Sequence, residues 1–272
     1  MTNILVPTDF SEVCENAAFH ACEVARFLNG QVILLHVINS DTHAYLKKQH
    51  AGVELINQML KTLQEKLRRE FSIDVSIVAL EGSIFEKIKQ TAEKKGADLV
   101  FLGTHGKVGI QKLTGSFALK LVTQLPVPTV VVQERKFGEG YRVVVIPVSN
   151  HQQIDLKCHW AVSVAKIFRA EVHLIQIYEE NPTIAEIIGS ATTEIAGHLV
   201  KNGIKVVVSH ARHAGDFAGQ IISYSKDIHA ELIQIITNSV PSQSEFMLGP
   251  WDEKMIFNQV QIPVMCINPL PL

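Results

Sequence analysis

The chain has 272 residues, of which 47% are hydrophobic and 19% charged, with a mean hydropathy of +0.16 and a formal net charge of −2. So much apolar material excludes extensive disorder, and the near-neutral balance excludes the broad positive field that binds duplex nucleic acid. At ~150 residues per domain the length implies two domains.

In chain order, short β-branched runs alternate with helical patterns. The runs are Ile4 to Val6, Gln31 to Val37, Val75 to Leu80, Leu99 to Leu102 and Thr129 to Val132. Between them Ile56, Met59, Leu60, Leu63 and Leu67 share one helix face, as do Ile84, Ile88 and Ala92. Nearly continuous apolar strands separated by helices predict an α/β fold with a parallel sheet covered on both sides. After Arg135 to Gly140 the order recurs: Val143 to Ile146, Glu171 to Ile177, Ile204 to Val208, Leu232 to Ile236 and Val264 to Ile267. A shift of 140 positions, without gaps, aligns Pro7 with Pro147, Ala21 with Ala161, Val24 with Val164, Val32 with Val172 and Leu34 with Leu174. This reads as an internal duplication, with domains at 1–137 and 138–272. The first holds 16 basic and 14 acidic residues and the second 9 and 13, so an anionic ligand favours the first.

The four cysteines, Cys14, Cys22, Cys158 and Cys266, lack CxxC spacing, so neither a zinc ribbon nor a disulfide framework is indicated, and they are expected to be reduced and buried. No basic region followed by a long apolar stretch opens the chain, and no run of ~18 apolar residues follows, so a cytoplasmic protein is expected. His210-Ala211-Arg212-His213 reads as a solvated turn rather than a metal site, and Lys61 to Glu70 as a solvated helix face.

Three segments of the first half should meet at the carboxyl ends of its strands, where open α/β sheets bind ligands. Pro7-Thr8-Asp9-Phe10-Ser11 follows the first strand; the Asp9 carboxylate can accept hydrogen bonds from paired ribose hydroxyls, while Asp9 and Ser11 serve equally as helix caps. Leu102-Gly103-Thr104-His105-Gly106-Lys107 follows the fourth strand, with Gly115-Ser116 opening the last helix. Small residues and helix-terminal amides there suit a phosphate, although the spacing is not that of a Walker A loop. The third is the strand end Leu35-His36-Val37, read as offering backbone groups without any special side chain.

Together these residues resemble the ATP-binding branch of the universal stress protein family, over essentially the whole chain as a tandem pair. The resemblance implies two five-stranded parallel sheets with helices on both faces, Rossmann-like and similar to adenine nucleotide alpha hydrolases. It also implies a stress-response role in which a bound adenine nucleotide alters association with protein partners. By position it puts Asp9 and Gly103 at the ribose, backbone groups of Val37 at the adenine, and Thr8 along the pocket wall. Gly106, Gly115, Ser116 and the amide of Phe117 would meet the phosphates, with His105 nearby. The family's loop has nine residues between its second and third glycines, and Gly106 and Gly115 enclose eight, which leaves ATP, ADP and AMP as alternatives. Mg²⁺ is a candidate companion ion, although no carboxylate pair for it is evident.

At the matching positions of the second half stand Ser149, Ile236, Ser239 and Gly249-Pro250, which predicts no nucleotide of this kind there and a mainly architectural role. The resemblance also implies pairing of the last strands, Val130 to Val132 and Met265 to Ile267, as an intrachain pseudo-dimer, with a homodimer as a further expectation. Two other readings stand beside this one: a weak ATPase or phosphoryl-transfer enzyme, and a scaffold without nucleotide whose glycines only permit turns.

Overall fold

The computed structural model describes residues 1–104, 115–150, 153–239 and 246–269. The chain divides into two units, Met1–Phe137 and Gly138–Leu272. In the first, the apolar runs become β1 (Asn3–Pro7), β2 (Gln31–Ile38), β3 (Asp74–Glu81), β4 (Leu99–Gly103) and β5 (Thr129–Val132). They pair in the order β3-β2-β1-β4-β5, every pair parallel. All residues of β4 and β5 are buried. Successive strand residues point to opposite faces, so both faces of the sheet are covered, as the unbroken apolar sequence predicts.

The intervening helices are α1 (Glu12–Leu28), α2 (Ser40–Lys48), α3 (Glu54–Phe71), α4 (Ile84–Lys94) and α5 (Gly115–Val122). Helix α1 starts at Ser11, whose side chain accepts from the Cys14 amide, and stops at Asn29, which takes the left-handed conformation. Its buried face includes Ala17, Ala18, Ala21 and Ala25, small enough to let the helix lie close to the sheet. Helix α3 buries Ile56, Leu60, Leu63 and Leu67 and exposes Lys61, Glu65, Arg68, Arg69 and Glu70. Lys66 departs from that solvated face: it pairs with Glu15, and its ammonium lies 5.0 Å from the centre of the Phe19 ring.

The second unit contains β6 (Val143–Val148), α6 (Ile154–Phe168), β7 (Glu171–Gln176), α7 (Pro182–Lys201), β8 (Val206–His210), α8 (Phe217–Asp227) and β9 (Leu232–Ile236). A short ribbon of β10 (Asn238–Ser239) and β11 (Phe246–Met247), then α9 (Asp252–Ile256) and β12 (Val264–Ile267), complete it. Its parallel sheet runs β8-β7-β6-β9-β12, the topology of the first unit. The 140-residue shift survives in the ladders: Ile4 pairs with Val32 and Val144 with Val172, Pro7 with Leu35 and Pro147 with Ile175. Strand β8 begins at Val206 rather than at Ile204 and runs to His210. It closes one side of this unit's strand order and is only half buried, so its apolar sequence does not mark its ends.

Candidate functional site

Strand β1 has β2 on one side and β4 on the other, so the strand order reverses between β1 and β4, the place where open α/β sheets bind their ligands. Thr8 and Asp9 follow β1 directly, and Gly103 ends β4. The Asp9 side chain is buried, and its Oδ1 accepts from the Ser11 amide at 2.9 Å. Ser11 Oγ in turn accepts from the Cys14 amide at 3.3 Å, so the carboxylate also shapes the entry to α1. Burial, reinforced by the nearby Asp9 charge, pushes the Cys14 thiol well above its ordinary range, which keeps it an unreactive thiol.

Thr8 donates its amide to the Leu35 carbonyl at 2.8 Å, and its hydroxyl accepts from the Phe10 amide at 3.0 Å. Phe10 has φ 64, in the left-handed region, and its ring stacks on His36 with centroids 4.8 Å apart. His36 is fully buried; its Nδ1 donates to the Thr8 carbonyl at 2.8 Å, and Nε2 lies 3.0 Å from the Thr42 hydroxyl. Burial lowers the imidazole pKa, which favours the neutral ring, so Nε2 is the acceptor in the Thr42 contact. The expectation that no side chain matters in Leu35-His36-Val37 is therefore corrected: His36 ties the ends of β1 and β2 to the start of α2. The available signal was a histidine inside an otherwise apolar parallel strand, which must find partners when buried.

Val37 lies two residues beyond the last β1–β2 pair, in register with Leu80 of β3. Beside it, between the carboxyl ends of β2 and β3, is an open hollow of about 470 Å³, whose walls include Asn39, His43, Glu81 and Phe85. That size is within the range of small-molecule sites.

Gly103 has a structural reason for being glycine. A Cβ there would stand 2.8 Å from Cys14 Cα, the Cys14 nitrogen and the Val13 carbonyl carbon, so the residue admits the backbone of α1. The next residue, Thr104, is buried; its amide donates to the Val132 carbonyl at 2.9 Å, while its hydroxyl has no hydrogen-bond partner among the described residues. Sequence reasoning did not single it out. Gly115, Ser116 and Phe117 form the first turn of α5. His105 and Gly106, together with Lys107, lie outside the described residues.

In the second unit Val144 pairs with Leu232 as Ile4 pairs with Leu99, so Ile236 occupies the ladder position of Gly103. Of the segment His210 to His213, His210 ends β8 and Arg212 and His213 are exposed in the turn after it. Among the described residues no helix is long and apolar enough to cross a membrane.

Comparison with known proteins gives concordant findings at the level of family profile, sequence and structure. The sequence profile of the universal stress protein family matches residues 1–133. Universal stress protein MJ0531 of Methanocaldococcus jannaschii is 33% identical over 141 residues, spanning 49% of this chain and 82% of the relative. Universal stress protein MJ0577 of the same organism is 27% identical over 156 residues, spanning 48% of this chain and 94% of the relative. A crystal structure of a universal stress protein from Archaeoglobus fulgidus shares the fold over 98% of both chains, with a TM-score of 0.75 at 19% identity.

Proposed function

Because this chain belongs to the universal stress protein family, we propose that its amino-terminal unit binds an adenine nucleotide and that occupancy alters its association with protein partners. The observation that carries this reading is that a buried polar group follows each of two neighbouring strands, β1 and β4. One is the Asp9 carboxylate after β1, and the other is the Thr104 hydroxyl after β4, which has no hydrogen-bond partner among the described residues. A buried hydroxyl without a partner costs about 1–3 kcal/mol, a cost a polar ligand relieves.

In this reading Asp9 accepts from the ribose hydroxyls, Thr8 lines the wall, and the adenine lies toward Val37 and the hollow beside it. The first turn of α5, at Gly115, Ser116 and Phe117, offers amides to the phosphates, joined by Gly106 with His105 nearby. ATP, ADP and AMP share the contacts to base and ribose and differ in how far they reach along this turn. No ligands are assigned to Mg²⁺. In the carboxy-terminal unit Ile236 stands at the Gly103 position and Pro250 has no amide hydrogen, and we propose that it does not take a nucleotide in this way.

Titration calorimetry with ATP, ADP and AMP tests the proposal. Asp9→Asn keeps an acceptor for the Ser11 amide but removes the charge, so it should weaken binding by about tenfold while leaving the fold intact. Gly115→Val should weaken the nucleotides with longer phosphate chains most. Wild-type protein that binds none of the three would defeat the reading.

A further inference from the structure

In the second unit a line of hydrogen-bonded side chains joins β7, α8 and β8. His173, buried in β7, has Nε2 3.2 Å from Glu171 Oε1 and Nδ1 2.8 Å from the Tyr224 hydroxyl of α8. The Ser209 hydroxyl of β8 donates to Tyr224 at 2.9 Å, and the Lys205 ammonium lies 2.5 Å from the other Glu171 oxygen. Chemistry fixes the direction of each bond. Lys205 holds the Glu171 carboxyl below its ordinary range, and a carboxylate only accepts, so Nε2 carries the hydrogen that goes to it. Burial, against the pull of the Glu171 charge, lowers the His173 pKa and favours the neutral ring. Nδ1 therefore accepts from the Tyr224 hydroxyl, whose oxygen is left to accept from Ser209.

The fold does not require this arrangement. In the first unit Ile33 holds the ladder position of His173 and Val78 that of Ser209, and Thr91, the eighth residue of α4, corresponds to Tyr224, the eighth of α8. Apolar groups of similar shape replace both partners of a buried hydrogen bond with little change in stability. His173 does not require Ser209 either, because Glu171 and Tyr224 already satisfy both ring nitrogens. Ser209 adds a link that ends the line on a half-buried hydroxyl. Strand β8 ends the strand order of this unit, so among the described residues its outer edge is open. The Lys205 carbonyl accepts from the Val172 amide, and the Ala211 amide donates to the Gln176 carbonyl. Odd-numbered backbone groups of β8 thus face β7, and the His210 amide, next after Ser209, faces the open edge.

We propose that Ser209 is a nucleophile that takes the acyl group of an activated ester or thioester, its proton relayed through Tyr224 to His173. Ser209 Oγ adds to the acyl carbon as its proton passes to the Tyr224 oxygen, and the Tyr224 proton passes to His173 Nδ1. Glu171 stabilises the imidazolium that forms, as the carboxylate of a serine–histidine–acid triad does. The His210 amide offers a donor to the developing oxyanion, the part played in other acyl-transfer sites by the amide after the nucleophile. When the C–O or C–S bond to the leaving group breaks, His173 returns the proton through Tyr224 to the departing oxygen or sulfur. One acyl donor and one serine thus give one seryl ester and one alcohol or thiol.

The test is acetylation of the full chain by p-nitrophenyl acetate, followed by peptide mass spectrometry of acetylated serines and tyrosines. In the folded protein Ser209 should be acetylated at least about tenfold faster than the exposed Ser72 and Ser223, and the preference should vanish in urea. Because the base titrates below the ordinary histidine range, the Ser209 rate should be level between about pH 7 and 9 while that of Ser223 goes on rising. Tyr224→Phe keeps the ring and cuts the relay, so it should slow Ser209 by about tenfold or more and leave Ser223 unchanged. Acetylation of Ser209 no faster than of Ser223, a preference that persists in urea, or an acetyl group carried by Tyr224 instead overturns the proposal. These are read on wild-type protein, so the test stands even if the Tyr224 variant fails to fold.

Discussion

Replacing Gly103 by alanine adds a single methyl group whose carbon would lie 2.8 Å from three backbone atoms of α1: Cys14 Cα, the Cys14 nitrogen and the Val13 carbonyl carbon. Comfortable separation between such atoms is about 3.5–4.0 Å, so the start of the helix must lift from β4 by about 0.7 Å or more. It is not free to do so. Val13, Cys14, Ala17, Ala18 and Ala21 are buried along the same face, and the Asp9–Ser11–Cys14 hydrogen bonds fix the first turn. Overpacking of this kind costs about 1–3 kcal/mol, which for a urea dependence of similar size per molar lowers the unfolding midpoint by about 1 M. Far-UV circular dichroism in urea measures it. Both tryptophans, Trp160 and Trp251, lie in the other unit, so their fluorescence follows that unit separately. The clash is with backbone, so Cys14→Ala should not relieve it. An unchanged midpoint for Gly103→Ala, or full rescue by Cys14→Ala, would refute the argument that this glycine serves helix packing.

His20, buried on α1 with Nε2 bonded to the Arg135 carbonyl at 2.9 Å, has its pKa lowered to about 4 by burial. Between about pH 4 and 6.5 the unfolded chain takes up a proton that the folded chain refuses. Stability present above pH 6.5 should therefore be lost on acidification, by about 3 kcal/mol, in urea titrations of wild type but not of His20→Gln. Lys157 gives the corresponding effect at high pH. Its folded pKa of about 8 lies below the unfolded value, so stability should rise between pH 8 and 10.5 by about 3 kcal/mol, and Lys157→Met should lack that rise. All four cysteines are buried with raised pKa values, so a thiol reagent should find none in the native protein at neutral pH and four after denaturation.

The ten strands of the two parallel sheets, the recurring strand order and the family resemblance were legible along the chain, whereas α2, the β10–β11 ribbon and the start of β8 were not. The legible features rest on local periodicity and on a shift of 140 positions that the ladders preserve at Pro7–Leu35 and Pro147–Ile175. The sequence by itself also determined that Asp9 and Gly103 belong to strand ends, because a turn residue after an apolar run is a local signal. Tertiary structure decided what those residues touch. Gly103 meets Cys14, 89 positions earlier, and His36 bonds Thr8 and Thr42 across three elements. In the second unit, Lys157 and Asp252 lie 95 positions apart and border one cavity. Read along the chain, Lys157 is one charge in an ordinary helix and Pro250 one lost amide donor. Only chain crossings bring such distant segments together: the approach of α1 leaves no room for a Cβ at Gly103, and burial among remote residues lowers the Lys157 pKa.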